Sequence, residues 1–366
     1  MTSERKRKFA ALIAKSEERQ RSTLVPLMLQ RLSIMSINDI HFNAGFPTGP
    51  QKMKQSLEEI FDKTHLPDVI CMQKGMDDME ELKNMGYQLV ICAGTQGVAQ
   101  SDDKMIYHNQ EALDTCRRDQ SHELLVNQVY IAEASPWKVD ESGVTQISEA
   151  LKLAGGCGRE SRWLEVRSMC WVILKKRDSS TPAVCVMNTH LSGGRLEDQY
   201  FVQQLEQERY SQVERCIEFF LEKRCHKQSI ALGVLVGDFN APRTYTVDGR
   251  MSDYFKSAIR TSQGVWMDAR PHNVETEEAL QDEFKRYIVS PFKALTDWHW
   301  RLPYQEEKDG TTSAFGHPVN YMAVSRKVVT DRPQRVILNN EKVKGKQTDT
   351  QKSTTHQAAL ITSFFV

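Results

Sequence analysis

The stretch Ile230-Ala-Leu-Gly-Val-Leu-Val-Gly-Asp-Phe-Asn-Ala-Pro242 decides the fold. Residues 230–236 are apolar or glycine, which predicts a buried strand. Asp238 and Asn240 follow directly, and side chains two positions apart share one face of a strand. The pattern therefore predicts a carboxylate and an amide held together at a strand end. The alternative is a turn closed by an Asx hydrogen bond before Pro242.

Three further segments combine an apolar strand with polar residues at its end. They are Ser36-Ile-Asn38, Asn188-Thr-His-Leu191 and Ser353-Thr-Thr-His356, the last of which precedes a strand. Strand ends hold side chains rigidly, and α/β enzymes commonly place their sites where several strand ends meet. Imidazole, amide and carboxylate groups together suit phosphate-ester hydrolysis with a hard divalent cation. The segments therefore predict one phosphate-binding cleft.

The rest of the chain alternates irregularly between strand-like and helical stretches. The clearest helix is predicted over 197–224, with an amphipathic stripe at Leu205, Arg209, Val213, Cys216, Ile217, Phe220 and Leu221. Residues 108–165 and 265–312 are loop-rich and contain no recognisable motif. No composition shift marks a domain boundary, so we predict one α/β (α+β) domain over 31–366, preceded by a basic helical extension over 1–30.

Composition and charge exclude several classes of protein. Basic and acidic residues number 48 each, so nothing global directs the chain to nucleic acid or an anionic membrane. Basic residues are concentrated in 4–21 and in 326–352. No signal peptide or transmembrane segment is recognisable, and the eight Cys include no CxxC pair. We expect a reduced intracellular protein, cytoplasmic or nuclear, and leave organelle import open.

The ordered segments resemble the motifs of the endonuclease/exonuclease/phosphatase superfamily, the deoxyribonuclease I-like phosphate-ester hydrolases. Ser-Ile-Asn, Asp-Val-Ile-Cys-Met-Gln (68–73), Asn-Thr-His-Leu, Gly-Asp-Phe-Asn-Ala and a late Thr-His occur in the superfamily's order. They extend over about residues 31–366. The resemblance implies a four-layer sandwich, with two β-sheets packed face to face and helices outside.

The resemblance also implies a role for each retained position. Asn38 corresponds to the first-strand Asn near a metal, which would be Mg²⁺, and His190 to the phosphate-binding His. Asp238 corresponds to the group that orients or deprotonates the attacking water, and Asn240 to its partner at the phosphate. His356 corresponds to the terminal His that binds the scissile phosphate or acts in acid–base chemistry.

Three positions depart from the superfamily's pattern by losing an acid. Lys74 stands where the superfamily has a metal-binding Glu, Asn320 where it has an Asp that orients the terminal His, and Thr355 where it has a second acidic ligand. At the metal, the formal charge changes from −2 to +1. Each like-charge pair at about 4 Å costs about 4 kcal/mol at an effective dielectric near 20. The alternative is that Lys74 faces solvent and a nearby acid, Asp77 or Asp78, replaces the lost Glu.

Two functions follow from the resemblance and its departures. The first is a weak or inactive pseudoenzyme, in which Lys74 forms a salt bridge with Asp238. Its cleft would bind a phosphorylated ligand or nucleic acid through Lys74, Asn188, His190, Asn240 and His356, or the chain would serve as a scaffold through its basic segments. The second is a divergent, active Mg²⁺-dependent phosphodiesterase, nuclease or phosphatase. The superfamily covers many phosphate esters, so the sequence does not name the substrate.

Overall fold

The computed structural model describes two β-sheets with helices on their outer faces. The described residues are 30–38, 57–58, 61, 65–75, 80–94, 98–99, 105–106, 126–149, 151–153, 162–164, 166–176, 182–192, 199–227, 229–241, 246–247, 250–251, 290–303, 320–326, 328–330, 334–337 and 358–366.

The larger sheet has seven strands. They are β1 (Arg31–Asn38), β2 (Val69–Gly75), β3 (Tyr87–Gly94), β6 (Val126–Ala132), β16 (Val329–Thr330), β17 (Gln334–Ile337) and β18 (Ala358–Phe365). The strand order is β16-β18-β1-β2-β6-β3, and β17 also pairs with β18. β1 runs parallel to β2 and antiparallel to β18, so β18 begins at the edge of the sheet where β1 and β2 end.

The second sheet has five strands. They are β7 (Trp137–Gln146), β10 (Ser168–Lys176), β11 (Ala183–His190), β12 (Ile230–Asp238) and β15 (Asn320–Val324). The strand order is β15-β12-β11-β10-β7. β11 and β12 are parallel, whereas β15 is antiparallel to β12. The ends of β11 and β12 and the start of β15 therefore meet at one edge.

The remaining described elements are three short strand pairs and three helices. The pairs are β4 (Val98–Ala99) with β5 (Met105–Ile106), β8 (Leu151–Leu153) with β9 (Arg162–Leu164), and β13 (Thr246–Val247) with β14 (Arg250–Met251). The helices are α1 (Glu80–Asn84), α2 (Gln199–His226) and α3 (Ser290–Asp297). None of these helices is both long and apolar enough to span a bilayer. The helix predicted over 197–224 corresponds to α2.

The two sheets pack face to face, and alternation along the strands builds the layers. On β12, Val234 and Val236 belong to the apolar core between the sheets, with Ile34 of β1. The side chains that alternate with these, such as Leu235 of β12 and Met35 of β1, point away from the other sheet. Leu235 packs with α2 and α3, and Met35 of β1 packs with α1. Full burial of such a side chain contributes about 1.5–3 kcal/mol. The predicted four-layer sandwich is confirmed.

Two stretches predicted to be loop-rich contain regular structure, so that part of the prediction is wrong. Residues 108–165 include β6 and β7 of the main sheets, and residues 265–312 include α3. β7 is an edge strand with exposed polar residues at Lys138, Asp140 and Ser142. Exposed polar residues in alternation give an edge strand the composition of a loop. Residues 1–29 lie outside the described ones, so the predicted domain division stays a prediction.

The C-terminal end of α2 is tied to β7 by ion pairs. Lys227 Nζ lies 2.7 Å from Asp140 Oδ2 and 2.5 Å from Glu141 Oε1, and Lys223 Nζ lies 3.1 Å from Glu141 Oε2. The hydrogen bonds from Lys227 lower the pKa of Asp140 and Glu141 below the usual carboxyl range. This cluster fixes the far end of the helix that covers the five-stranded sheet.

Replacing Lys227 with Met is expected to lower the free energy of unfolding by under about 1 kcal/mol at neutral pH, because partly exposed ion pairs contribute little. A lowered carboxyl pKa stabilises the fold above the ordinary carboxyl range, and this contribution disappears as the pH falls through the lowered value. Urea denaturation at about pH 7 and about pH 3 should therefore show that the difference in unfolding free energy between the wild type and the variant is smaller in acid. A difference that persists unchanged in acid would contradict the pairing.

Candidate functional site at the strand ends

Three polar side chains lie side by side at one edge of the five-stranded sheet. Asp238 pairs with His190 across β11 and β12, and with Asn320 across β12 and β15. Val236, two residues before Asp238, and Met322, two residues after Asn320, belong to the core between the sheets. Alternation therefore directs the row toward the other sheet. All three side chains are nearly fully buried.

Asn38 connects this row to the larger sheet. It is the last residue of β1, and its Nδ2 donates a hydrogen bond to Asp238 Oδ2. Its Oδ1 is buried and has no hydrogen-bond partner among the described residues. An amide whose donor is used on a carboxylate and whose oxygen is left open can accept from a further donor or face a cation.

Asp238 is also held by the turn that follows it. Its Oδ1 accepts a 2.7 Å hydrogen bond from the backbone N–H of Asn240, and Asn240 Nδ2 donates to the carbonyl of Leu191 at 2.7 Å. β12 ends at Asp238 and Asn240 adopts φ 48°, so strand alternation stops there. The argument that alternation places the two side chains on one face is therefore wrong. The Asx hydrogen bond, kept above as the alternative, forms in the site itself.

The electrostatics of the site depend on Asp238. A buried carboxylate costs several kcal/mol unless it is paired and hydrogen-bonded. Asp238 receives hydrogen bonds from Asn38 and from the Asn240 backbone, and Oδ2 lies 3.8 Å from His190 Nε2. Hydrogen bonds to a charged group contribute about 1.5–3 kcal/mol each. A protonated His190 would add an ion pair, so the site can accommodate positive charge next to Asp238.

Asn188 lies below the row and joins the two sheets. Its Nδ2 donates to the carbonyls of Met72 at 2.8 Å and Gln128 at 2.9 Å, and its Oδ1 accepts from Gln73 Nε2 at 2.8 Å. The side chain is fully buried, and both amide hydrogens are used. The predicted contact between Asn188 and substrate therefore has no support from this geometry, which assigns Asn188 to holding the sheets in register.

Gln73 is a site residue that the motif analysis did not assign. It is fully buried, pairs with Asn38 across β1 and β2, and donates to Asn188. Its signal in the sequence is a polar residue at the end of an apolar strand, the same signal that identified Asn38. Gln73 thus links the first-strand motif to the Asn-Thr-His-Leu motif.

Three predicted positions receive little or no description. The backbone of Lys74 lies in β2, directly after Gln73, but the structure does not describe its side chain. Thr355 and His356 lie outside the described residues, just before β18 begins at Ala358. Their predicted roles, and the salt bridge between Lys74 and Asp238, stay predictions.

Magnesium is the cofactor that the resemblance implies, and the described side chains do not fit a resident ion. Mg²⁺ usually takes one or two carboxylates together with water and phosphate oxygens. In the row formed with Asn38, His190 and Asn320, Asp238 is the single carboxylate, and both of its oxygens already accept hydrogen bonds. Within the described part of the chain, no group of three His, Cys, Asp or Glu side chains could hold a metal. Asn38 is therefore a metal ligand by resemblance alone.

Solved structures with the same architecture are found. The human Nocturnin catalytic domain, with bound sulfate, aligns with a TM-score of 0.50 and 14% identity over 91% of this chain and 94% of that one. The Bacteroides vulgatus endonuclease/exonuclease/phosphatase gives 0.49 and 12% over 92% and 100%. Caenorhabditis elegans TDP2 gives 0.49 and 12% over 98% and 81%.

These likenesses concern the fold alone, because the identities are low. No protein-family model matches the sequence, and no curated protein gives a significant match. The sandwich, its strand ends and the fold of the Nocturnin domain agree with the resemblance drawn from the motifs. The chain therefore has the deoxyribonuclease I-like fold of the endonuclease/exonuclease/phosphatase superfamily.

Proposed function

We propose that this chain is a weak or inactive relative of the superfamily's hydrolases that retains a phosphate-binding cleft. The observation that carries the proposal is the composition of the row at the strand ends. Asp238 is its single carboxylate, and the side chains around it are an imidazole and two amides. Such a row can bind an anion, but it lacks the negative charge that holds a divalent cation.

In this proposal the ammonium of Lys74 supplies the positive charge that a metal supplies in an active relative. Two features of neighbouring residues support it. Lys74 follows Gln73, the register partner of Asn38, so its backbone is at the correct edge of the sheet. Asn38 Oδ1 and Asp238 together form a buried, electron-rich pair that a cation would satisfy. A fixed ammonium beside them would also attract a phosphate group.

The phosphate would be bound by donors from several strand ends. His190 lies at the end of β11, and Asn240 in the turn after β12. Lys74 lies in β2, and His356 precedes β18 in the sequence; both strands reach the same edge. The ligand class is a phosphorylated small molecule or the phosphates of a nucleic acid. A scaffold role through residues 4–21 and 335–352 is part of the same proposal, and those segments lie almost wholly outside the described residues.

The test is titration of the protein with inorganic phosphate, with and without Mg²⁺, monitored by calorimetry. We expect phosphate to bind with an affinity that millimolar Mg²⁺ does not change. Replacing Lys74 with Gln should weaken binding by about tenfold, the equivalent of about 1.4 kcal/mol. His190→Gln should also weaken phosphate binding. Its matched control is His226→Gln, a change at the C-terminal end of α2, far from the row. Binding that requires Mg²⁺ would overturn the proposal.

A second function, a divergent active hydrolase, is favoured by one observation. Asp238 keeps its hydrogen bonds to Asn38 and Asn240, and Asn38 Oδ1 remains open to a cation. Asp77 or Asp78 would then replace the lost Glu. Mg²⁺-dependent cleavage of a generic phosphodiester that disappears in Asp238→Ala would establish this function and exclude the first.

A further inference from the structure

Helix α2 carries two polar residues on its buried face, where packing alone would favour apolar ones. Arg209 is 3% exposed and Gln212 is fully buried, although their neighbours on the helix, Val213 and Cys216, belong to an apolar core. A buried guanidinium or amide destabilises a fold unless hydrogen bonds replace those it made with water. The contacts of these two side chains therefore indicate their role.

Both side chains bind one residue, Ser192, which lies two positions after His190. Gln212 Oε1 accepts from the Ser192 backbone N–H at 2.9 Å, and Gln212 Nε2 donates to Ser192 Oγ at 2.7 Å. Arg209 Nε donates to the Ser192 carbonyl at 2.9 Å. Side chains of α2 therefore hydrogen-bond the backbone N–H, the carbonyl and the hydroxyl of Ser192.

The intervening residue, Leu191, is bound from the opposite side by the site itself. Its N–H donates to the backbone carbonyl of Asp238 at 2.9 Å, and its carbonyl accepts from Asn240 Nδ2 at 2.7 Å. All four backbone polar groups of Leu191 and Ser192 are thus engaged, two by the turn at Asp238 and two by α2. His190 directly precedes Leu191 in the chain, so these hydrogen bonds also restrict the backbone of His190.

We infer that Arg209 and Gln212 are positioning residues, which hold the chain after His190 so that its imidazole stays beside Asp238. The pair acts through Ser192 and Leu191 and does not touch the ligand. The inference rests on the proposed function only where ligand binding is measured, because the placement of His190 can be observed without any ligand.

A plain packing role makes a different prediction from a positioning role. Val213, next to Gln212 in sequence, is fully buried in the apolar core under the same helix. Val213→Ala should reduce stability without disturbing Ser192. Gln212→Met keeps the side-chain length and removes both hydrogen bonds to Ser192. Ser192→Ala removes only the bond to Oγ and leaves the two backbone bonds in place.

The experiment is NMR of the full chain with histidines labelled at Cε1, the His190 signal being assigned by its loss in His190→Gln. In the ligand-free protein we expect the His190 signal to move or broaden strongly in Gln212→Met, less in Ser192→Ala, and not in Val213→Ala. With inorganic phosphate as the probe, Gln212→Met should weaken binding by about fivefold to tenfold, in the range of a lost hydrogen bond.

The outcomes separate the two proposals. An unmoved His190 signal in Gln212→Met overturns the inference, and so does an equal movement in Val213→Ala. If Gln212→Met does not fold, Ser192→Ala decides the matter by the same signal. If the wild-type protein fails to bind phosphate, the proposed function is overturned, whereas the ligand-free spectra still test the positioning role.

Discussion

The triple substitution Lys74→Glu, Asn320→Asp and Thr355→Asp is expected to raise Mg²⁺-dependent phosphodiester hydrolysis by at least about 10²-fold. In a serine protease triad, restoring Asp in place of Asn beside a His recovers about 10⁴ in turnover. At the metal position, the exchange returns the formal charge from +1 to −2, and Mg²⁺ in proteins is usually bound by one or two carboxylates. The groups that hold Asp238 are already in place, since Asn38 Nδ2 and the backbone N–H of Asn240 donate hydrogen bonds to its carboxylate.

The measurement is kcat/KM for a generic phosphodiester as a function of Mg²⁺ concentration. Lys74→Gln is the control that removes the ammonium without adding a ligand, and it should leave hydrolysis near the wild-type level. Adding Asp238→Asn to the triple variant should abolish any gain. A triple variant that is folded but inert would show that the cleft has changed beyond these three positions.

Asn320→Asp alone is the informative intermediate of that series. Asn320 is 1% exposed and pairs with Asp238 across β12 and β15, so the change places two carboxylates side by side. Like charges in a shared buried site cannot both ionise readily. The single variant should therefore be less stable than the wild type, and Mg²⁺ should restore stability only when Lys74→Glu is also present.

The sequence predicted the fold because its strongest patterns are local. An apolar run of strand length followed by polar residues fixes both a buried strand and the position of its end, as at Asp238. Three such ends, together with the Thr-His segment before the last strand, occur in the superfamily's order and predicted the sheet edge on which the described site residues lie. The same signal at Gln73 could have added this residue to the site.

Other features depend on contacts that no local pattern contains. Asn188 lies on the same strand as His190, two residues before the strand end, yet its partners are on β2 and β6 of the other sheet. β2 carries a register irregularity between Met72 and Gly75, which spans Lys74. A bulge breaks the alternation of faces. Strand periodicity therefore does not decide the side on which the Lys74 ammonium lies, and charge variants at this position are the direct test.

Gly237→Ala is expected to lower the free energy of unfolding by about 3 kcal/mol or more, since it combines backbone strain with a steric clash. Gly237 has φ 151°, a conformation that side-chain-bearing residues rarely adopt. A Cβ there would lie 1.8 Å from the backbone carbonyl oxygen of Thr189, which cannot rotate away. β11 and β12 would have to separate where His190 pairs with Asp238.

Gly86→Ala is the matched control for that change. Gly86 also has a positive φ, 80°, but a Cβ there would meet nothing within 4 Å, so only the backbone term of about 1–2 kcal/mol applies. Urea denaturation of the two variants separates strain from clash, and the His190 NMR signal reports the site. Equal losses would mean that β11 and β12 can separate at Gly237 without cost. A larger loss in Gly237→Ala with a displaced His190 signal would show that close backbone contact between these strands aligns the imidazole with the carboxylate.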